Sequence, residues 1–323
     1  MSASSTLNTP NTLNTADLIE RLSTVIAIPV VPYGADGEID HDRARALSAR
    51  LVAGGITALT PNGNTGEFYA LTPAERRTVL TSVASVCPAA TTLVAGVGFD
   101  VQTASADARF ARDAGAHAIM IHQPVLPYMS PEGWIEYNAA IAGSVPELGV
   151  LPYLSNPAVT GAHIAALTKR APNVIGLKYS VPDPVVFAAN REQAGNDGLL
   201  WIAGLAESYA SAYWQAGARA FTSGLANVAP AVPLQLLASL RAGRYDEAAD
   251  LWRRIRPFEE MRARDHSADN VSVVKEAMHQ LGLCGREVRP PSHVLSRARA
   301  AEVTEAVRPW RELVPALDEE LVA

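Results

Sequence analysis

The chain has 323 residues, of which 48% are hydrophobic, so it can bury a sizeable core as one large barrel with extensions or as two domains. Its formal net charge of −6 leaves it without the basic surface that nucleic-acid binding requires. A small acidic metabolite remains a compatible ligand, because a few local positive groups are enough to bind one.

The cysteines and the start of the chain bear on its location. Cys87 and Cys284 match neither a metal-ligand spacing nor a disulfide framework, which favours a reducing compartment and predicts a cytoplasmic protein. No apolar run reaches the roughly 18–20 residues that span a bilayer, so no membrane association is predicted. Residues 1–23 are predicted to be a leader, because their first part is rich in Ser, Thr and Asn and lacks the pattern of a secretory signal.

Strand-like and helix-like segments alternate along the body of the chain. The predicted strands lie at 25–28, 56–60, 92–97, 117–122, 149–153, 174–178, 200–203 and 218–222. The helices between them are predicted at 41–53, from 72, at 103–114, from 130, at 162–170, 184–193 and 207–215. Asp40 is the expected N-cap of the first of these helices. Thr72 and Glu75 form a capping box, with Pro73 at the first helical position.

Eight βα units in succession predict an α/β fold, a (β/α)8 TIM barrel over residues 24–240. An open doubly wound sheet is the alternative, but no glycine-rich dinucleotide turn follows the first strand. After residue 229 the strand signal stops. Further helices are predicted at 232–242, 245–261, 271–281 and 296–310. Residues 241–323 are therefore predicted to be a helical C-terminal extension packed on the barrel.

A lysine at the end of the sixth predicted strand is the strongest chemical signal. The apolar residues 174–177 lead directly into Lys178, as in a strand buried within a parallel sheet. Burial disfavours the charged amine and lowers its pKa, which makes Lys178 a candidate Schiff-base nucleophile. The ordinary alternative is a lysine that extends to the surface or meets a carboxylate.

The loop after the second predicted strand has the composition of an anion site. Gly63 and Gly66 let the backbone expose successive N–H groups, and Thr65 between them adds a hydroxyl donor. The alternative is a tight turn that only leads into the following capped helix. Glu67 is interpreted as a structural hydrogen-bond partner of this loop rather than as an acid catalyst.

The end of the fifth predicted strand carries a tyrosine. Tyr153 would point toward the barrel mouth beside Lys178, where it could carry protons with help from the Thr65 hydroxyl. A buried tyrosine more commonly packs its ring and satisfies its hydroxyl. The seven histidines are scattered without metal-ligand spacing, so neither a metal nor any other cofactor is predicted.

Together these residues resemble the dihydrodipicolinate synthase and N-acetylneuraminate lyase family of Schiff-base aldolases and dehydratases. The resemblance extends from about residue 25 to residue 310. It is carried in chain order by the loop 63–67, Tyr153, the strand 175–178, the segment 221–224 and the C-terminal motifs at 274–277, 281–282 and 289–291. It implies catalytic roles for Lys178, Tyr153 and Thr65. The residues implied to bind substrate are Gly63, Asn64, Thr65, Gly66 and Ser223.

Three departures from the family's synthases are visible. Asn64 stands where the synthases carry threonine, and Tyr128 is displaced from the position of their tyrosine pair. Val159 stands where they have an arginine that holds a second carboxylate. The loop after the second strand resembles that of keto-deoxy sugar acid dehydratases, whereas residues 157–161 are similar to those of sialic acid lyases.

The resemblance implies a Schiff-base-forming lyase that cleaves or forms a bond to pyruvate or a similar 2-oxo acid. The alternative within the family is a dehydratase like 5-dehydro-4-deoxyglucarate dehydratase. A phosphate-binding barrel isomerase is less well supported, because Gly204 and Gly224 are single glycines. A non-catalytic 2-oxo acid binding protein is a further alternative. The resemblance also implies a homo-oligomer, a tetramer built as a dimer of dimers.

Overall fold

The computed structural model describes residues 14–126, 128–195 and 198–310. The first part of the predicted leader, residues 1–13, lies outside the described residues, as do residues 311–323 of the predicted extension.

Eight parallel strands close into a barrel in chain order, each hydrogen-bonded to the next and the last to the first. They are β1 (Val25–Ala27), β2 (Ala58–Leu59), β3 (Thr92–Val97), β4 (Ala118–Ile121), β5 (Gly149–Leu154), β6 (Gly176–Tyr179), β7 (Leu200–Ala203) and β8 (Ala220–Ser223). The predicted (β/α)8 barrel is confirmed, and the open sheet is wrong because β1 pairs with both β2 and β8.

Helices precede, separate and follow these strands. They are α1 (Thr15–Leu22), α2 (His41–Ala53), α3 (Pro73–Ala84), α4 (Val101–Asp113), α5 (Pro131–Gly143), α6 (Gly161–Arg170), α7 (Pro184–Ala194), α8 (Glu207–Gln215), α9 (Ala231–Arg241), α10 (Tyr245–Ser267), α11 (Asn270–Gln280) and α12 (Arg297–Val307). None of the helices in the described ranges is long and apolar enough to cross a membrane.

The predicted caps of α2 and α3 are confirmed. The Asp40 carboxylate accepts the N–H of Arg43 at 2.8 Å, which satisfies one of the free donors at the start of α2. At α3 the Thr72 hydroxyl and the Glu75 carboxylate form the reciprocal pair of a capping box. These polar contacts fix where each helix starts, and hence where the loops at the barrel mouth end.

Side chains alternate between the two faces of each strand, which divides the strand residues of the core between two clusters. An interior cluster fills the barrel and includes Ile26, Met120, Leu151 and Ile202. A larger outer cluster lies between the strands and the surrounding helices, where Phe221 is buried. Residues at even positions of β6 and β8 therefore face the barrel interior, and those at odd positions face the helices.

The C-terminal helices pack together against one side of the barrel. The helix α10 contacts α8, α9, α11 and α12, and α11 also contacts the turn that follows β2. The helix α10 extends to Ser267, beyond its predicted end at 261, although Arg264, Asp265 and His266 have non-helical backbone angles. This break redirects the chain so that α11 returns toward the barrel mouth.

Candidate active site

Lys178 and Tyr153 lie side by side at the C-terminal ends of β6 and β5. The register of the two strands pairs these residues directly, and the Lys178 Nζ atom lies 4.5 Å from the centre of the Tyr153 ring. Lys178 is 4% exposed. The sequence-based prediction that the two side chains are neighbours at the mouth is therefore confirmed.

Lys178 differs in environment from the other two lysines of the chain. Lys169 is exposed on α6, and the buried Lys275 forms an ion pair with Glu67 at 2.6 Å. Lys178 makes no ion pair or hydrogen bond with any described residue. Its burial, followed by the positive charge of Arg262, lowers its pKa to about 8. The neutral amine that attacks a carbonyl is thus more abundant near neutral pH than for an exposed lysine.

The Tyr153 hydroxyl has two polar neighbours, Ser180 and Asn64. Burial raises the Tyr153 pKa, and interaction with the side chains of Ser180 and Asn64 opposes that rise. Ser180 Oγ and Asn64 Oδ1 form no well-aligned hydrogen bond with any described residue. The hydroxyl that assists Tyr153 was predicted to be that of Thr65, and Ser180 was not predicted from the sequence. The sequence position of Ser180 could have indicated this role, because Ser180 follows Lys178 by two residues and side chains at that spacing lie on the same face of a strand.

The loop after β2 forms a short 3-10 turn over Asn64–Gly66. The Gly66 N–H donates to the Gly63 carbonyl at 3.0 Å, so this amide is already used within the turn. The N–H groups of Asn64 and Thr65 have no partner among the described residues, and Thr65 is 2% exposed. An anion at this loop would therefore bind the Asn64 and Thr65 amides and the Thr65 hydroxyl.

Glu67 holds this loop from behind. Its carboxylate accepts hydrogen bonds from Lys275 Nζ at 2.6 Å and from the Arg289 N–H at 2.8 Å. Its backbone is left-handed, with φ of 54°, an uncommon conformation for a residue with a side chain. The interpretation of Glu67 as a structural partner is confirmed, since both oxygens are occupied by the C-terminal segment.

The end of β8 places Thr222 and Ser223 on opposite faces. Ser223 is fully buried on the outer face, where its hydroxyl donates to Glu207 at 2.5 Å and accepts the Ala226 N–H at 2.9 Å. The Ser223 hydroxyl, predicted to bind substrate, therefore lies on the face away from Lys178, and the Ser223 carbonyl accepts the Ile28 N–H at 3.0 Å. Thr222 is the residue of this pair that faces the interior, with its hydroxyl 3.3 Å from the Gly204 carbonyl.

A cluster of charged side chains behind β8, formed by Glu207, Glu259 and Arg262, was not predicted from the sequence. Burial, and then the charge of Glu259, raises the pKa of Glu207 to about 8. Glu259 in turn accepts a hydrogen bond from Arg262 Nη1 at 2.6 Å. These residues come from α8 and α10, and only the folded chain brings them to one place.

His122 lines the mouth as a neutral, packed side chain. It stacks on Phe68 with ring centres 3.9 Å apart, and its Nε2 atom donates to the Asn62 carbonyl at 2.7 Å. Burial lowers its pKa to about 3. Tyr128, by contrast, is 87% exposed. Within the part of the chain that the structure describes, no three His, Cys, Asp or Glu side chains are grouped as a metal site requires.

A model of the dihydrodipicolinate synthetase family matches residues 21–309. The chain belongs to this family. A probable 5-dehydro-4-deoxyglucarate dehydratase of Saccharopolyspora erythraea is 30% identical over 300 residues, which cover 90% of this chain and 95% of that protein. A protein of the same description from Methylobacterium radiotolerans is 31% identical over 289 residues, covering 87% and 93%.

Solved structures of the dihydrodipicolinate synthetase family share the fold. The dihydrodipicolinate synthase of Oceanobacillus iheyensis superposes with a TM-score of 0.88 at 34% identity, covering 93% of this chain and all of that one. That of Bacillus clausii gives a TM-score of 0.87 at 33% identity, covering 91% and 99%. The predicted family resemblance is confirmed, and with it the prediction of an enzyme of the lyase class.

Proposed function

We propose that this member of the family forms an imine with a 2-oxo sugar acid through Lys178 and removes water from it. The observation that carries the proposal is the buried, unpaired Lys178 amine beside the Tyr153 ring, 4.5 Å from its centre. The curated relatives described as 5-dehydro-4-deoxyglucarate dehydratases support dehydration and a substrate of that type. Dehydration was the alternative to aldol cleavage in the sequence analysis.

Binding would begin at the loop after β2. The carboxylate next to the reacting ketone would accept hydrogen bonds from the unpartnered N–H groups of Asn64 and Thr65 and from the Thr65 hydroxyl. Such charge-assisted bonds are short and roughly twice as strong as neutral ones. This placement would direct the ketone carbon toward Lys178 Nζ.

The neutral Lys178 amine would then attack the ketone carbon. The Tyr153 phenol would give its proton to the departing hydroxyl of the carbinolamine, which leaves as water and yields a protonated imine and a phenolate. The protonated imine is an electron sink that acidifies the neighbouring C3–H bond. The Tyr153 phenolate would accept the C3 proton, directly or through the Ser180 hydroxyl. The enamine electrons would expel the C4 hydroxyl, which takes this proton from Tyr153 and leaves as water, and addition of water to the imine, with its proton returned to Tyr153, would regenerate the neutral Lys178 amine.

Aldol cleavage remains the second candidate, because the same imine can break the C3–C4 bond instead. The solved structures at 33–34% identity are described as dihydrodipicolinate synthases and not as dehydratases, which supports this second candidate. Incubation with 5-dehydro-4-deoxyglucarate separates the two candidates. Dehydration gives a product lighter by at least one water and no pyruvate, whereas cleavage releases a three-carbon 2-oxo acid.

Borohydride trapping tests the imine itself. The wild-type protein with pyruvate should gain the mass of a reduced adduct at Lys178, and Lys178→Ala should gain none. Lys169→Ala, which removes an exposed lysine of α6, is the matched control and should trap pyruvate normally. An adduct in Lys178→Ala, or none in the wild type, would refute the proposed chemistry and leave a binding protein or an isomerase.

We also propose a homo-oligomer, a tetramer built as a dimer of dimers, in the cytoplasm. Family membership supports the assembly, and the free thiols of Cys87 and Cys284 support a reducing compartment. Sedimentation that shows only monomer at micromolar concentration would refute the tetramer. Cell fractionation with an epitope-tagged chain would test the compartment.

A further inference from the structure

A buried arginine of the C-terminal helices reaches the barrel mouth. Arg262 lies on α10, and its side chain is 8% exposed. Its Nη1 atom donates to Glu259 at 2.6 Å and its Nε atom donates to the Asn270 side chain at 3.0 Å. Its Nη2 atom makes no hydrogen bond with any described residue. Two of the three guanidinium nitrogens are thus held, and Nη2 is left for a ligand.

The contacts of Gly224 show where the Nη2 atom of Arg262 lies. A methyl group built on Gly224 would overlap Nη2 of Arg262 and lie 3.0 Å from its Cζ atom and 3.1 Å from Thr65 Oγ1. Nη2 therefore occupies the space above the end of β8 where any other residue would place its side chain. It faces the loop after β2, on the same side of the barrel as Lys178, whose pKa its charge lowers.

The guanidinium can serve two carboxylates at once. Arginine has five N–H donors in a planar fork, and Glu259 uses only the Nη1 side. Glu207, the other nearby acid, accepts the Ser223 hydroxyl and makes no hydrogen bond with the arginine, although the charge of Arg262 opposes the rise in its pKa. The donors left on Nη2 therefore match an anionic oxygen that a substrate brings into the mouth.

We infer that Arg262 binds the second carboxylate of a dicarboxylic 2-oxo acid, the one distant from the reacting ketone. This inference rests on the proposed function. The first carboxylate already has donors in the Asn64 and Thr65 amides and the Thr65 hydroxyl. The Arg262 side chain extends from α10, which lies behind β8, and places its positive charge beside Gly224. The part of an extended substrate beyond the reacting ketone would pass this position.

Substrate pairs that differ only in the distant group test the inference. Arg262→Gln should lower kcat/KM for 5-dehydro-4-deoxyglucarate by about 10- to 100-fold, the loss expected for a hydrogen bond to a charged group. For 2-dehydro-3-deoxygluconate, which ends in a hydroxymethyl group, the loss should be smaller by about tenfold or more, because no charged bond is lost and the missing Arg262 charge beside Lys178 affects both substrates alike. Borohydride trapping of pyruvate, run to completion so that a change in the Lys178 pKa does not limit it, should reach the wild-type level.

Equal losses with both sugar acids, or loss of pyruvate trapping in Arg262→Gln, would overturn the inference and make Arg262 a partner of the reacting carboxylate or a structural residue. A wrong proposed function would give a different result, because the wild-type protein would then form no borohydride-reduced adduct with pyruvate, with or without a substitution at Arg262. Arg256→Gln, which breaks an exposed ion pair with Glu260 on the same helix, is the matched control.

Two further variants separate binding from folding. Arg262→Gln alone leaves the buried Glu259 without its cation, so it could unfold the protein. The double variant Glu259→Gln/Arg262→Gln removes both charges and should fold while keeping the loss for the dicarboxylate. Arg262→Lys keeps a charge beside Glu259 but lacks the planar fork, and should restore folding without full dicarboxylate activity. Wild-type dicarboxylate activity in the double variant would refute the inference.

Discussion

The reactivity of Lys178 depends on its protonation. Burial and the charge of Arg262 lower its pKa to about 8. Half of the Lys178 side chains are therefore the reactive neutral amine near pH 8, whereas an ordinary lysine reaches that point only at about pH 10.4. The rate of pyruvate trapping at low substrate should rise about tenfold per pH unit up to about pH 8 and level off above it. Rapid-quench trapping between pH 6 and 10 measures this. A rate that keeps rising to pH 10 would contradict the lowered pKa.

Tyr153 is expected to be needed for proton transfer during turnover but not for trapping of the imine at Lys178. Tyr153→Phe keeps the ring beside Lys178 and removes only the hydroxyl that faces Ser180 and Asn64. A positioned acid–base group is typically worth about 10²–10⁴-fold in rate, so turnover should fall by that order while pyruvate is still trapped. Tyr245→Phe, at a tyrosine 46% exposed on α10, should leave both unchanged. Full turnover in Tyr153→Phe would place the proton carrier elsewhere.

A buried ion pair joins the helix α11 to the loop after β2. Lys275 and Glu67 are both nearly inaccessible and lie 2.6 Å apart. Lys275→Met should destabilise the protein by about 3–5 kcal/mol, because it leaves the Glu67 charge buried without its cation. Urea unfolding measures this, with Lys169→Met as the exposed control. The double variant Glu67→Gln/Lys275→Met should recover most of the loss, and no recovery would show that packing, not charge, explains it.

The helices and strands were largely predictable from local patterns, whereas parts of the site were not. The strands at 92–97 and 200–203 and the helices at 41–53 and 207–215 match the structure because apolar periodicity and caps act within a few residues. Position along a strand also placed Lys178 beside Tyr153. Arg262 gave no such signal, since the fold brings α10 to the mouth across a large sequence separation. The Gly66 N–H, one of the groups that the loop was predicted to expose, is used within the turn, and the 3-10 hydrogen bonds of that turn are not visible in the composition.

At the scale of the whole molecule, different parts of the chain pack at the two ends of the barrel. The C-terminal helices pack beside the mouth, and α1 covers the opposite end. Leu18 and Leu22 of α1 belong to the interior cluster of the barrel, and Leu22 is fully buried. Gly149 at the start of β5 leaves room for Leu18, because a methyl group there would lie 2.8 Å from its Cδ2 atom. The described part of the predicted leader thus completes the barrel core.

Truncation of Leu22 should therefore separate stability from catalysis. Leu22→Ala removes a side chain buried against the interior cluster and leaves a cavity, which typically costs about 2–5 kcal/mol in the free energy of unfolding. Because α1 lies at the end of the barrel away from Lys178, kcat below the unfolding transition should stay near the wild-type value. Thermal and urea unfolding with parallel rate measurements test both expectations, and Leu126→Ala, at a leucine 62% exposed, should change neither. A large fall in kcat at full folding would show that the packing of α1 is transmitted through the interior cluster to the mouth.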